Sequence, residues 1–398
     1  MIERRTVVSL AAAVTISLTT ALHSQGKSPS LADLEARARA DSNDPVAHYN
    51  VAVVLFDKHR YEDAERSLRQ AIAIDAHYAP ALLLLSRTLF QRAYPRGGYL
   101  MPFASGRRIV FLRVGASNTD SVREVKGEAV QLRRRGFLLD PLLELGSPGR
   151  EWLPVKWAGT LSKALHDYEH GQWASAAAGF QTVIDRTLRP TDSTDVPPVA
   201  LWYRARTAIH TNDYETAIHD LRSLARLRAP DSTSRVLEWN PFVGEELQYI
   251  LAYVHQQAGR SDEAIALYQE VLSRNLSLDI AHSHLADIYE TQERWPEAVQ
   301  ERRRAIDANP DDPGLMFELG STLAYAGQYE EAEQVLTRFA ETHPRESRAY
   351  YLLGFTAMRL HKPQAAREAL ARYLALAPSR YADQIADARR RLDALAQQ

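Results

Sequence analysis

Cysteine is absent from this chain of 398 residues. Its absence excludes a disulfide framework, a thiol nucleophile and any zinc or iron–sulfur site with cysteine ligands. A surplus of charge is also lacking, because 48 basic side chains face 50 acidic ones and leave a formal net charge of −2. A protein whose main partner is a nucleic acid normally carries a clear basic excess. Phosphate-binding glycine loops, dinucleotide fingerprints and G-x-S-x-G motifs are missing as well, so the sequence predicts neither a nucleic-acid partner nor a cofactor.

An internal repeat is the most informative feature that is present. Ala264, Ala298, Ala332 and Ala366 stand 34 residues apart, and similar residues recur around each of them. The clearest unit contains Leu319, Gly320, Leu323, Gly327, Tyr329, Ala332, Leu336 and Pro344. Small residues at two of these positions allow two antiparallel helices to approach closely, and proline ends the second helix because it lacks an N–H donor. The period therefore predicts an array of helix pairs.

This pattern resembles the tetratricopeptide repeat (TPR) family. The resemblance implies an all-α, right-handed superhelical solenoid of about seven helix pairs, with a small inserted segment that looks like a β-hairpin and with a C-terminal capping helix. It also implies a concave groove that binds proteins or peptides. The predicted segments are a signal peptide (1–25), a polar entry segment (26–44), N-terminal repeat helices (45–91), a basic insertion (92–127), middle repeat helices with loops (128–228), a loop (229–244), a regular array (245–378) and a capping helix (379–398).

The resemblance also implies which residues line the groove. In this family they come from the first helix of each pair, at the second, fifth, ninth, twelfth and thirteenth places of the repeat. In the regular array these places hold Tyr249, Tyr253, Gln256, Gln257, Asp287, Glu290, Phe317, Ser321, Tyr325, Arg348, Tyr351, Phe355, Met358 and Arg359. Aromatic rings offer a large contact area with few rotors to freeze, and the two arginines could hold a carboxylate or phosphate. Any single ring could instead pack between helices.

The insertion is a second candidate surface. Between residues 92 and 135 ten arginines or lysines face three acidic residues, and four aromatic residues are interleaved with them. The basic residues singled out as a site are Arg96, Arg107, Arg108 and Arg113. Such an excess could contact an anionic component of the cell envelope or a partner protein. The alternative is a solvated charged face.

One segment matches a catalytic motif. His166, Glu169 and His170 have the H-x-x-E-H spacing of inverted zinc peptidases, in which two histidines bind the metal and the glutamate activates water. The segment ends a first repeat helix, and histidines also stand near the ends of other first helices, where they can serve the helix C-terminus electrostatically. This recurrence favours a structural role. The prediction is therefore no enzyme, no catalytic residue and no metal, with a zinc-dependent hydrolase as the alternative.

The first 25 residues have the pattern of an export signal. Arg4 and Arg5 give a positive start, and Thr6 to Ala21 form an uncharged, largely apolar stretch that is short for a membrane span. The sequence therefore predicts a periplasmic or secreted scaffold for protein or peptide partners, with a retained membrane anchor as the alternative to cleavage. An accessory subunit of envelope polysaccharide or outer-membrane assembly is a special case of that scaffold.

We expect cleavage near Ser24, so that the mature protein begins near Gln25. N-terminal sequencing of the protein recovered from the periplasm or medium measures this directly. An intact Met1 terminus in the membrane fraction would show that the leader is an anchor.

Overall fold

The computed structural model describes residues 29–93, 99–105, 108–114, 120–141, 158–187, 198–226, 245–275 and 278–396. The predicted signal peptide therefore lies outside the described residues. Contacts between residues divide the described chain into two compact units. The middle unit lies within residues 145–288, and the terminal unit combines the described parts of 21–144 and 289–398.

Helices make up almost all of the described structure. Before the middle unit come α1 (Leu31–Ala40), α2 (Pro45–Asp57), α3 (Tyr61–Ile74), α4 (Ala79–Ala93), strands β1 (Tyr99–Ser105) and β2 (Arg108–Val114), and α5 (Asp120–Leu139). The next elements are α6 (Ala158–Glu169), α7 (Trp173–Thr187), α8 (Pro198–His210), α9 (Tyr214–Arg226), α10 (Glu245–Gln257), α11 (Ser261–Arg274) and α12 (Asp279–Thr291), inside which the division between the units falls. The last are α13 (Trp295–Ala308), α14 (Pro313–Tyr325), α15 (Tyr329–Thr342), α16 (Ser347–Arg359), α17 (Pro363–Leu376), a 3₁₀ turn (Ser379–Tyr381) and α18 (Ala382–Ala396).

In chain order these helices give seven uninterrupted helix–turn–helix pairs, from α2/α3 to α16/α17, within the described residues. An eighth pair, α4/α5, is divided by the two strands. Most consecutive helices within each unit pack together, as in a solenoid of helix pairs. The all-α repeat fold expected from the sequence is therefore confirmed.

The turn inside each uninterrupted pair contains one residue with a positive φ angle. Gly171, Gly259 and Gly327 hold this place in three pairs, with φ between 70° and 81°. His59, Asn212, Glu293 and His361 hold it in the other four, with φ between 54° and 59°. A left-handed residue ends the first helix and turns the chain into the second, and glycine adopts this conformation without a Cβ penalty.

The two helices of a pair touch at small residues. Ala264, Ala298, Ala332 and Ala366 are all completely buried. A Cβ atom added to Gly320 would lie 2.7 Å from the Leu336 side chain, which is too close for two carbon atoms. Gly354 and Leu370 repeat this geometry one period later. The spacing recognised in the sequence therefore marks where the two helices of a pair pack closely.

The divided pair differs in its boundaries from the sequence prediction. The insertion was expected to span 92–127, but α4 continues to Ala93 and α5 begins at Asp120. The physical reason is that Ala129 is buried in the core of the first repeats, while Val125 and Leu132 pack against that core. Between the two helices, β1 and β2 form an antiparallel hairpin in which Tyr99 lies opposite Val114.

The last helix, α18, closes the final hydrophobic cluster. Its Ala388 and Leu395 are buried together with Leu370 and Tyr373 of α17. No helix in the described part of the chain combines the length and the apolarity that crossing a membrane requires.

We expect Ala332→Leu or Ala298→Leu to lower the free energy of unfolding by about 1–3 kcal/mol, because added methylene groups have no room where the helices meet. Gln328→Leu is the control, since Gln328 is exposed at the turn before α15. Denaturant melts of the three variants test the expectation. Equal midpoints would mean that the alanines do not mark the close approach.

Candidate binding surface

The predicted groove residues fall in both units, and each unit is described by itself. In the middle unit, Tyr249 of α10 is only 1% exposed. Its ring meets that of Tyr268 edge-on, with centroids 5.6 Å apart. The prediction that Tyr249 lines a groove is therefore wrong, because its ring is buried against Tyr268 of the next helix and belongs to the core. An edge-to-face aromatic pair of this kind stabilises the packing itself.

The remaining groove positions of the middle unit are partly accessible. Tyr253 is half-buried, and its ring lies 5.3 Å from that of His284. The carbonyl of half-buried Gln256 accepts a hydrogen bond of 2.9 Å from the Tyr268 hydroxyl. The side chain of Asp287 is 45% exposed, and Gln257 is half-buried beside Gln256. This unit thus presents a small polar surface with one aromatic ring.

In the terminal unit, Glu290 belongs to a buried ionic network. The Arg302 guanidinium donates to Glu290 at 2.9 Å and to Glu318 at 2.7 Å. Its Nε also donates to the Thr322 hydroxyl at 3.2 Å. Removing one partner of a buried arginine leaves an uncompensated charge at a cost of several kcal/mol. Glu290 therefore has a structural task, and its place in a ligand-binding groove stays a prediction.

Phe317 and Arg348 form a stacked pair at the start of two neighbouring first helices. The Arg348 guanidinium lies 4.9 Å from the centre of the Phe317 ring. It also donates to Glu346 at 2.7 Å, and Asp75 of the first repeat lies 3.3 Å from it. The sequence predicted a guanidinium ready for a ligand carboxylate. In the structure two carboxylates of the chain itself already occupy that place.

Tyr351 and Met358 support the capping helix. The Tyr351 hydroxyl donates to Asp387 of α18 at 2.7 Å, and its ring lies 5.1 Å from that of Tyr373. Met358 packs against the cluster that α18 completes. Burial would raise the pKa of Asp387, but hydrogen bonds from Arg391 and Tyr351 outweigh this effect and lower it. These two predicted groove residues therefore hold the end of the array together.

Three half-buried rings remain together beside them. Phe355 lies 6.3 Å from Tyr325 and 6.2 Å from Tyr329, measured between ring centres. Arg359, which is exposed, donates to the Tyr329 hydroxyl at 2.9 Å, and the Arg391 guanidinium lies 5.8 Å from the Phe355 ring. Burial raises the pKa of Tyr325 to about 12. We call these five residues the Phe355 patch; the predicted groove residue Ser321, which is half-buried, is on the same helix as Tyr325.

The basic insertion is only partly described. Arg96 and Arg107 lie outside the described residues. Arg108 and Arg113 are in β2, opposite Ser105 and Leu100, and their side chains are not described. The basic insertion therefore stays a prediction.

The segment with zinc-peptidase spacing lies at the end of α6. The rings of His166 and His170 are 4.0 Å apart, and Nδ1 of His170 lies 2.7 Å from the His166 carbonyl oxygen, to which it can donate. Such a bond provides a side-chain donor for a carbonyl oxygen in the last turn of the helix. The Glu169 side chain is outside the description, and the described residues contain no group of three potential ligands placed to hold a metal ion.

A family model of the tetratricopeptide repeat matches residues 161–232, 249–313 and 317–381, which is just over half of the chain. The chain belongs to the tetratricopeptide repeat family. The resemblance inferred from the alanine spacing is thus confirmed, and proteins of this repeat type are protein-interaction scaffolds.

One curated relative is the type IV pilus assembly protein PilF of Pseudomonas aeruginosa, 27% identical over 124 residues. The match covers 31% of this chain, which spans about half (48%) of the length of that relative. Similar solved structures include the C-terminal part of a TPR protein from Cytophaga hutchinsonii (16% identity, 59% of this chain and 92% of that one, TM-score 0.45). Two others are the type IV pilus biogenesis factor PilW (18%, 56% and 94%, TM-score 0.40) and YrrB, a TPR protein with an unusual peptide-binding site (20%, 51% and 94%, TM-score 0.37). With TM-scores below 0.5, these structures carry no information about function.

The TPR pattern does not reveal the contacts made by the first repeat. His77 lies between Asp312 and Glu318, with both carboxylates within 3 Å of its ring nitrogens. These residues are 235 and 241 positions away in sequence. The residues next to His77 in the sequence do not indicate that its partners are Asp312 and Glu318.

We expect Tyr351→Phe to lower the free energy of unfolding by about 1.5 kcal/mol, because it removes a hydrogen bond to a charged acceptor. Tyr350→Phe is the matched control, since the Tyr350 hydroxyl makes only a 3.4 Å contact with a carbonyl. Because the folded pKa of Asp387 lies below its unfolded value, its contribution is present above the unfolded pKa and is lost as the pH falls through the folded one. Denaturant melts across that acidic range should show the difference between the wild type and Tyr351→Phe shrinking.

Proposed function

We propose that the protein is an exported scaffold that binds a protein or peptide partner through its repeat helices, with the Phe355 patch as the main anchor. The observation that carries this proposal is the grouping of Tyr325, Tyr329 and Phe355 with Arg359 and Arg391. Tyrosine and arginine are enriched among the residues that dominate binding energy. None of these three rings is fully buried, so a partner can add to the contacts that they already make.

The chemistry of the patch suggests what it binds. Half-buried rings offer apolar area that a partner side chain can cover, and the two arginines at the border offer donors for carbonyl or carboxylate groups. The Tyr325 hydroxyl is a donor at neutral pH, and burial raises its pKa further above neutrality, to about 12. An extended segment with apolar side chains and an acidic or carbonyl-rich border fits these features.

Export is the second part of the proposal. The charged start and short apolar stretch before Ser24 support it. Similarity to a type IV pilus assembly protein over 124 residues supports a role in the cell envelope. An accessory subunit of envelope assembly is therefore the second candidate, and it requires the same binding surface.

We expect the double variant Phe355→Ala, Arg359→Gln to weaken binding of an envelope partner by about 2 kcal/mol or more, as is typical for anchor residues. The partner is captured from envelope extract with the mature chain and then titrated against each variant. Arg338→Gln is the control, because it removes an exposed charge from α15. Circular dichroism verifies that the variants keep their helicity.

Neutralising Arg107, Arg108 and Arg113 separates the two candidate surfaces. If the insertion only attracts the partner, its effect should fade as salt is added. A loss of binding that persists at high salt, with no effect from the Phe355 patch, would place recognition on the insertion and contradict the proposal.

A further inference from the structure

The first repeats contact the last repeats through the turns that precede their first helices. The Asn43 side-chain amide donates to the carbonyl oxygens of Arg345 at 2.6 Å and Leu376 at 2.9 Å. The first pair of residues is 302 positions apart in sequence. We call this contact region the clasp; it joins residues 41–44 and 75–77 to residues 312–318, 345–348 and 376–380. All of these residues belong to the terminal unit.

Most clasp contacts at the 41–44 turn are polar or ionic. The Asp41 carboxylate accepts from both the backbone N–H and the hydroxyl of Ser379, each at 2.8 Å. Asp44 lies 3.1 Å from the Arg380 guanidinium. Arg345 donates to the Ser42 carbonyl at 2.6 Å. This turn is held by groups that water also solvates well.

His77 fills the other end of the clasp. Nδ1 lies 2.8 Å from Glu318 and Nε2 lies 2.9 Å from Asp312, the residue that caps α14. Arg135 of α5 pairs with the same Asp312. A Cβ atom added to Gly314 would collide with the His77 ring. The first turn of α14 is thus shaped to receive this ring.

The clasp differs in kind from the other contacts of the terminal unit. Helix pairs bury aliphatic and aromatic side chains such as Leu68, Leu336 and Leu370, each completely buried. Burial of apolar side chains is the dominant favourable contribution to the stability of such pairs. The clasp instead joins polar and charged groups that are mostly buried or half-buried, with side-chain exposure of 9% for Asp312 and 18% for Asp75. Opening returns both partners of each pair to water, and the hydration that they regain offsets much of the Coulombic attraction that they lose. The clasp is therefore the contact that can open while the helix pairs stay folded.

Asp75 occupies a position in the clasp that a partner would use. Its carboxylate lies 3.3 Å from the Arg348 guanidinium, which stacks on Phe317. Both Arg348 and Phe317 stand at groove positions of the repeat. The cleft beside them has a volume of about 10 Å³, which is room for about one water molecule, and is lined by Asn43, Asp75, Arg348 and Tyr381 among others. A partner side chain therefore does not fit beside Arg348 while Asp75 is in place.

We propose that the first repeat is an internal competitor for this end of the groove, and that an acidic segment of the partner replaces Asp75 on Arg348 when the clasp opens. The inference rests on the proposed function, because it assigns a regulation and a partner chemistry to the same row of first-helix positions. A carboxylate of the partner takes over the ion pair that Arg348 makes with Asp75, while Glu346 keeps its hydrogen bonds to the guanidinium, and a neighbouring apolar side chain covers Phe317. The apparent affinity is then the intrinsic affinity multiplied by the open fraction.

Clasp opening can be measured directly, because the chain contains no cysteine. Spin labels at Gln70→Cys and Thr337→Cys, two exposed helical positions, report the distance between the first repeat and α15. We expect one narrow distance distribution for the otherwise unmodified chain. Asp75→Asn keeps the shape and removes the charge, and it should add a longer distance. Glu62→Gln, which changes an exposed acidic residue of α3, the helix that Asp75 follows, should not.

Binding is measured with a fluorescein-labelled peptide that alternates glutamate and leucine, and with a lysine–leucine peptide of equal length. Asp75→Asn should tighten binding of the acidic peptide by about fivefold, which is in the range of typical couplings between sites. Glu62→Gln should leave it unchanged. Arg348→Gln in the Asp75→Asn background should abolish the gain, and the basic peptide should show none.

Two results would overturn the inference. An unchanged distance distribution in Asp75→Asn, even at about 1 M salt where the screening length is about 3 Å, would mean that the clasp is fixed. If the clasp opens in Asp75→Asn but the acidic peptide binds no more tightly, Asp75 does not compete with an acidic ligand for Arg348. The proposed function fails independently, when the Phe355 patch variants bind the envelope partner as well as the unmodified chain does.

Discussion

The close approach of two helix backbones at small residues is the constraint on which the rest of this structure depends. Where Gly320 lies against Leu336, no Cβ atom fits. The large side chains Tyr268, Leu336 and Tyr373 fill the space around such contacts and are completely buried. The positions left over on the first helices are those that a partner can reach.

The aromatic residues of these first helices do not form one class. Tyr249 is part of the core, and Tyr351 serves the capping helix, whereas Phe355 keeps part of its ring accessible. The same chemical properties suit both tasks, since a large ring with few rotors stabilises a core and a binding surface equally well. The capping helix also contributes to the candidate site, because Arg391 of α18 borders the Phe355 ring.

Sequence analysis predicts what is local and periodic. Ala332 and Gly320 can be recognised because each helix pair repeats the same packing after 34 residues, and the family match confirms that interpretation. Boundaries are harder to predict, since α5 begins at Asp120 and its Val125 packs against a core formed by residues far away in sequence. The repeat position alone marked Tyr249 and Tyr253 alike as groove residues, but the exposure of each depends on the neighbouring helix. Arg348 could not be assigned correctly, because its partner Asp75 lies in another repeat and is far away in sequence.

The contact between the first and last repeats changes how stability is distributed along the chain. In a linear repeat array each unit interacts only with its neighbours, so the folding free energy is a sum over repeats and nearest-neighbour borders. Here Asn43 donates hydrogen bonds to residues 302 and 333 positions away. These bonds add to the folding free energy a contribution that couples the first repeat to the last ones. The terminal repeats, which fray first in a linear array, gain cooperativity from each other. Local unfolding of the first repeat therefore also destabilises the last repeats. The folding free energy is then no longer a sum over nearest neighbours alone.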